Sequence, residues 1–101
     1  MDCMNDSVLR TICFLLEEKK VFIIRGDCSV ILAKAAGISR RELEKIVMNS
    51  TGLEISFVVD LYRVQHAREL LLAGVDYQSV WALSGFASRG ALDRAFECIV
   101  G

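Results

Sequence analysis

Two short clusters in this sequence bring together side chains that could do chemistry at a surface. Arg40, Arg41, Glu44, Lys45 and Asn49 make the first, and Arg89, Gly90, Asp93 and Arg94 make the second; a serine, Ser39 or Ser88, stands just before each. The chemistry they offer is hydrogen bonding rather than bond making. A guanidinium presents a planar fork of donors that matches paired acceptors, a lysine adds a point charge, and a carboxylate accepts from amino groups. The ingredients of catalysis are missing: no nucleophile is paired with a base, no two carboxylates share an apolar setting, and no metal-ligand spacing occurs. His66 is the sole histidine and reads as a helix-surface residue. Cys3, Cys13, Cys28 and Cys98 form no C-x-x-C pair and read as reduced core or surface thiols. No cofactor is expected.

The clusters are copies of one pattern. Ser39 to Val47 reads SRRELEKIV, and Ser88 to Phe96 reads SRGALDRAF, both Ser-Arg-x-x-Leu-acid-base-apolar-apolar. The repeat extends backwards. Leu32-Ala33 precedes Gly37 by the interval at which Val80-Trp81 precedes Gly85, and each glycine is followed by a large apolar residue, Ile38 or Phe86. The second copy has one extra residue in the turn. Each copy therefore reads as a short helix, a glycine turn and a serine-capped second helix, the sequence shape of a helix-turn-helix. The turn needs a residue tolerant of positive φ, and the apolar residue after it plugs the angle between the helices.

Composition agrees with a scaffold of packed helices. The chain has 101 residues, 53% of them hydrophobic, with seven glycines and no proline, which predicts one all-α domain. Twelve basic residues against 13 acidic ones leave a net charge of −1, and residues 28–101 carry eight of each, so a strongly basic nucleic-acid footprint is absent. The opening MDCMNDSV lacks the pattern of a secretory signal, and apolar runs such as VFII are far short of the roughly 20 residues that span a bilayer. A soluble, cytoplasmic chain with no membrane partner is expected.

Along the chain, Asp6 is expected to cap a first helix with Val8, Leu9, Ile12, Leu15 and Leu16 inward, ending near Lys19. VFIIRG reads as a connector or helical tail, because no second strand is present to pair with it. Asp27 caps Ser29 to Ala36, and Gly37 closes it. Ser39 and Glu42 form a capping box for the third helix, whose Leu43, Ile46 and Val47 face inward. One long helix follows from Ser56 to Leu72, roughly 26 Å at 1.5 Å per residue. Phe57, Leu61, Val64, Ala67, Leu70 and Leu71 are expected on its buried side, with Asp60, Arg63 and Glu69 opposite. Asp76 caps a short helix through Leu83, and Ser88 caps a last one with Leu92, Ala95, Phe96 and Ile99 inward and Glu97 outward.

With these residues in view, the sequence resembles the DNA-binding domain of the AraC/XylS family of bacterial transcription regulators. The resemblance is carried by LAKAAGISRRELEKIVMNSTG at 32–52, RVQHARELL at 63–71 and VWALSGFASRGALDRAFECIVG at 80–101. It implies about seven helices in two helix-turn-helix subdomains, residues 6–54 and 74–101, joined by a central helix over 56–73. It implies that the helices matching Arg40 to Asn49 and Arg89 to Cys98 enter successive major grooves on one side of the duplex. Four departures bear on packing. Ile55 and Val58 stand near positions usually held by proline and an aromatic residue, Trp81 replaces a usual small alanine, and Leu92 replaces a usual phenylalanine. Trp81 must repack the second hairpin or point outward, and the smaller Leu92 makes room for the first.

The resemblance assigns Arg40, Arg41, Glu44 and Lys45 in one unit, and Arg89, Gly90, Asp93 and Arg94 in the other, to positions that commonly face bases. Arginine can grip guanine, and a carboxylate can accept from cytosine N4. Against that stands a solvated face in which Glu44 pairs with Arg40 or Arg41, and Asp93 with Arg89. Asn49 and the amides following Ser39 and Ser88 suit phosphates. The function this implies is a sequence-specific, double-stranded-DNA-binding transcription regulator, with RNA polymerase or a separate regulatory protein as further partners. The alternative is a non-enzymatic module of the same fold that binds protein, for which the neutral charge argues.

Overall fold

The computed structural model describes residues 3–24 and 27–99. Among these the chain is all-helical and without strands: α1 (Cys3–Glu17), a 3-10 turn (Val21–Ile23), α2 (Ser29–Ala36), α3 (Arg40–Thr51), α4 (Ile55–Leu72), α5 (Tyr77–Leu83) and α6 (Arg89–Ile99). Six α-helices and one 3-10 turn stand close to the seven expected. VFII is a connector; the Arg25-Gly26 end of that stretch and the thiol of Cys3 lie outside the described residues. The chain divides into two compact units, Met1–Val21 with Asp27–Val58, and Phe22–Gly26 with Val59–Gly101.

In the first unit α1, α2 and α3 pack on one another. Val8, Ile12, Leu16, Leu32, Ala33, Leu43 and Val47 are buried, while Leu9, Leu15 and Ile46 are half-buried. Two boundaries differ from expectation. The helix begins before Asp6, so that carboxylate lies in the first turn, where the positive end of the helix dipole favours it, and does not cap. The helix also ends at Glu17 rather than at Lys19. Lys20 then takes a φ of 50° and turns the chain away. Asp27 acts from two residues before α2: its Oδ1 accepts from the Ser29 N–H at 3.0 Å and from the Ser29 hydroxyl. Cys28, buried, sits at the N-cap position itself.

The second unit buries Val64, Ala67, Val80, Phe86, Leu92 and Ala95 in one cluster, with Trp81, Phe96 and Ile99 packed against it half-buried. Trp81 thus packs into the hairpin rather than pointing away, and Leu92 has no exposed surface. Helix α4 serves both units, residues 55–58 in the first and 59–72 in the second. A single apolar stripe therefore does not describe it. Ile55 and Val59 are buried, whereas Phe57, Leu61, Leu70 and Leu71 are only half-buried.

Arg63 overturns its expected place on the solvent side. It is 9% exposed, and its guanidinium donates from Nε to the Phe22 carbonyl at 2.8 Å and from Nη2 to the Ile24 carbonyl at 2.9 Å. Periodicity assigned a charged residue outward, but the connector leaves backbone acceptors that only a long forked donor can reach. His66 is likewise half-buried, edge-on to the Phe22 ring with centroids 5.4 Å apart.

Candidate nucleic-acid interface

Each cluster of candidate residues follows the same backbone device. At the end of α2 the Gly37 N–H bonds the Lys34 carbonyl at 3.2 Å and the Ile38 N–H bonds the Ala33 carbonyl at 3.1 Å. At the end of α5 the Gly85 N–H bonds Ala82 at 3.3 Å and the Phe86 N–H bonds Trp81 at 2.9 Å. This paired bonding closes a helix through a left-handed residue, and Gly37 and Gly85 have φ of 74° and 89°. Ala33, Gly37 and Ile38 in one unit thus match Trp81, Gly85 and Phe86 in the other, bond for bond.

The serines then start the second helices as expected. Ser39 Oγ accepts from the Glu42 N–H at 3.1 Å and its carbonyl accepts from the Leu43 N–H; the Glu42 carboxylate meets the Ser39 hydroxyl at 3.4 Å. Ser88 Oγ accepts from the Ala91 N–H at 3.1 Å and its carbonyl from Leu92. The first-turn amides of Arg40, Arg41, Arg89 and Gly90 are left at the helix ends, where anions are favoured.

In the first unit the structure brings all the candidate side chains of α3 to one place. Arg40, Arg41, Glu44, Lys45 and Asn49 line a cleft of about 520 Å³, together with Met48, Asp27 and Ser29 and, at the start of α4, Glu54, Ile55 and Ser56. Within it Arg40 is held twice, by Asp27 Oδ2 at 2.8 Å and by Glu44 Oε1 at 3.3 Å. Arg41 and Lys45 make no ion pair among the described residues and remain exposed.

The second unit arranges the same positions differently. The expected ion pair between Arg89 and Asp93 is not formed. Asp93 Oδ1 instead accepts a short hydrogen bond from the Tyr77 hydroxyl, and Arg89 lies over the Tyr77 ring at 5.3 Å while reaching Gln78 Oε1 at 3.5 Å. The bond to Asp93 raises the Tyr77 phenol above its usual pKa, burial and the carboxylate's charge act the same way, and the Arg89 charge opposes them. Arg94 is exposed and makes no ion pair among the described residues. Gly90 is exposed too, and a side-chain Cβ there would approach Arg94 Nη1 no closer than 3.4 Å.

Asp27, Tyr77 and Gln78 were missing from the candidates read in the sequence. Asp27 signalled only a cap. Tyr77 and Gln78 lie on α5, which packs against α6, so their nearness to Arg89 and Asp93 belongs to the tertiary fold.

A turn-linked helix pair with free basic side chains on the exposed face of its second helix defines a helix-turn-helix protein. The sequence profile of a family described as a helix-turn-helix domain, of the AraC type, matches residues 32–101, and the chain belongs to that family of DNA-binding transcription regulators. Neither a curated protein nor a solved structure matches it. Among the described residues no helix is long and apolar enough to cross a membrane.

Proposed function

We propose that this chain reads the sequence of duplex DNA, α3 and α6 each entering a major groove, and that it regulates transcription by doing so. The observation that carries the reading is the exposed set Arg41, Lys45 and Arg94, which no carboxylate of the described residues engages; Lys45 and Arg94 stand at matching places on two serine-capped helices that follow matching turns, and Arg41 stands on the first helix where the second has Gly90. Arg41 and Arg94 are the residues assigned to base acceptors, Lys45 and Asn49 to acceptors nearby, and the amides after Ser39 and Ser88 to phosphates. Glu44 and Asp93 are assigned to holding side chains rather than to bases. The preferred site contains two short motifs, one per helix, with the spacing of one duplex turn, about 10 base pairs, that the family resemblance implies. RNA polymerase or a separate regulatory protein would complete the regulatory act.

A second reading, a protein-binding module on the same fold, is favoured by three carboxylates, Asp27, Glu44 and Glu54, in the cleft that α3 lines. Selection from a random duplex library at low and moderate salt separates the two. Enrichment of a two-part site supports the reader, and Arg41→Ala and Arg94→Ala should then each relax preference at a different part by about 1–3 kcal/mol. No duplex binding even at low salt rejects it in favour of the module.

A further inference from the structure

The two copies of the repeat place an arginine and a carboxylate at equivalent positions one helical turn apart, Arg40 with Glu44 and Arg89 with Asp93. The first pair is closed at 3.3 Å, and the second is open. Their spacing and exposure are alike, so the difference lies in what else each carboxylate meets. Counting back from the matched turn glycines, the residue equivalent to Tyr77 is Ser29. Ser29 is short and buried, and its hydroxyl is spent on Asp27. Nothing from α2 is thus seen to divert Glu44, and it pairs with Arg40. Tyr77 instead reaches from the start of α5 to α6 and donates its hydroxyl to Asp93.

We propose that Tyr77 is a positioning residue for Arg89: by occupying the Asp93 carboxylate it prevents the ion pair that would draw the guanidinium onto its own helix, and its ring holds that guanidinium ready for a DNA acceptor. The ring is anchored for this, since it packs half-buried against the Val64, Val80 and Phe86 cluster. Gln78 braces the same guanidinium from the next position of α5 at 3.5 Å. A guanidinium on an aromatic face keeps its in-plane N–H groups available, whereas one closed on a carboxylate has spent two of them. The second unit therefore offers Arg89 beside Arg94, while the first offers Arg41 and Lys45 with Arg40 withheld. The functional half of this inference rests on the DNA-reading assignment above.

Tyr77→Phe is the informative variant, because it keeps the ring beneath Arg89 and deletes only the hydroxyl. The competition is measured without DNA, by following the Asp93 carboxyl carbon through an NMR pH titration in the wild type, R89Q, Y77F and Y77F/R89Q. Besides Tyr77 and Arg89, the charges near Asp93 along α6 are Arg94 and Glu97, and these are constant across the set. R89Q should leave the Asp93 midpoint nearly unchanged when Tyr77 is present and raise it clearly in the Y77F background. An equal effect in both backgrounds overturns the competition. Affinity for the duplex selected by the wild type tests the functional half. Y77F should bind about two- to fivefold more weakly, the range of one exposed ion pair, and Y77F/D93N should recover the loss. An undiminished Y77F, or a loss that persists in the double variant, overturns the positioning role. Failure of the wild type to bind any duplex rejects the DNA reading and the functional half together, and the titration still judges the competition on its own.

Discussion

Arg63 and Phe22 stand 41 positions apart, and the guanidinium Nε of the first donates to the backbone carbonyl of the second at 2.8 Å. With the second bond to the Ile24 carbonyl, one side chain of α4 serves an acceptor within the 3-10 turn and another just after it. The bond to the Phe22 carbonyl is buried with Arg63, whereas that to Ile24 is part-buried, so removing the donor leaves the Phe22 carbonyl cut off from water. Arg63→Met, which keeps the length and loses the fork, should destabilise the protein by about 2–4 kcal/mol, read as a lower urea midpoint. Arg63→Lys should recover only part, because one ammonium on a flexible stem does not reproduce the planar fork that spans both carbonyls.

Gly37 and Gly85 are equivalent in the repeat but not in tolerance. Both have positive φ, and a Cβ at Gly37 would meet nothing within 4 Å. At Gly85 it would run into the Phe22 carbonyl oxygen and lie 2.8 Å from the Ile23 carbonyl. Those are backbone atoms and cannot swing aside. Gly37→Ala should cost about 1 kcal/mol, the conformational term alone, whereas Gly85→Ala should cost on the order of 3 kcal/mol or more because the connector must also move. Equal losses in thermal unfolding of the two variants would show that the connector yields freely.

Asp60 gives stability a signed pH dependence. Burial raises its carboxyl above the ordinary value of 3.8, and the Arg63 charge, with a nitrogen at 3.7 Å, opposes this without cancelling it. A carboxyl whose folded pKa is raised binds its proton more tightly in the folded state. Its contribution favours folding below the unfolded value and is lost as pH rises through the interval up to the folded one. Asp60→Asn removes that dependence. In denaturant titrations across the acid range, the variant should gain on the wild type as pH rises through this interval, and the difference should level off above it.

The sequence carried the fold because its signals were local. Ser39, Asp76 and Ser88 cap where their side chains reach the first-turn amides, and Gly37 and Gly85 turn the chain because only glycine enters left-handed φ freely. The stripe Leu43 and Val47 and its counterpart Leu92 and Ala95 were equally legible. What escaped was contact between residues far apart in sequence. Nothing in the spacing of Arg63 marks a buried donor, because its acceptors are carbonyls that exist at any residue. The pairing of Asp93 followed the helical rule until Tyr77, 16 positions earlier, offered a better partner. At the candidate site the residues of α3 were found by pattern, and the second hold on Arg40 was not, because Asp27 had already explained itself as a cap.

That second hold leads to a prediction of opposite sign to most substitutions near a binding face. Asp27 Oδ2 is 2.8 Å from Arg40 Nη2, while its Oδ1 serves the start of α2. Asp27→Asn keeps an acceptor for the Ser29 N–H and removes the charge that, with Glu44, restrains Arg40. Exposed ion pairs are worth only about 0.2–1 kcal/mol, so the fold should survive, and Arg40, left with the single longer pair to Glu44, should be released toward a stronger acceptor. If α3 lies against DNA, the freed guanidinium gains a phosphate, and duplex affinity should rise about two- to fivefold at low salt. Loss of a nearby negative charge alone could also tighten binding, so the slope decides. One additional phosphate contact steepens the log-log dependence on salt by about 0.9, whereas a general easing of repulsion with no new contact does not add that increment. Titrating wild type and Asp27→Asn against the selected duplex over a salt series measures it, and an unchanged slope would place Arg40 away from the backbone.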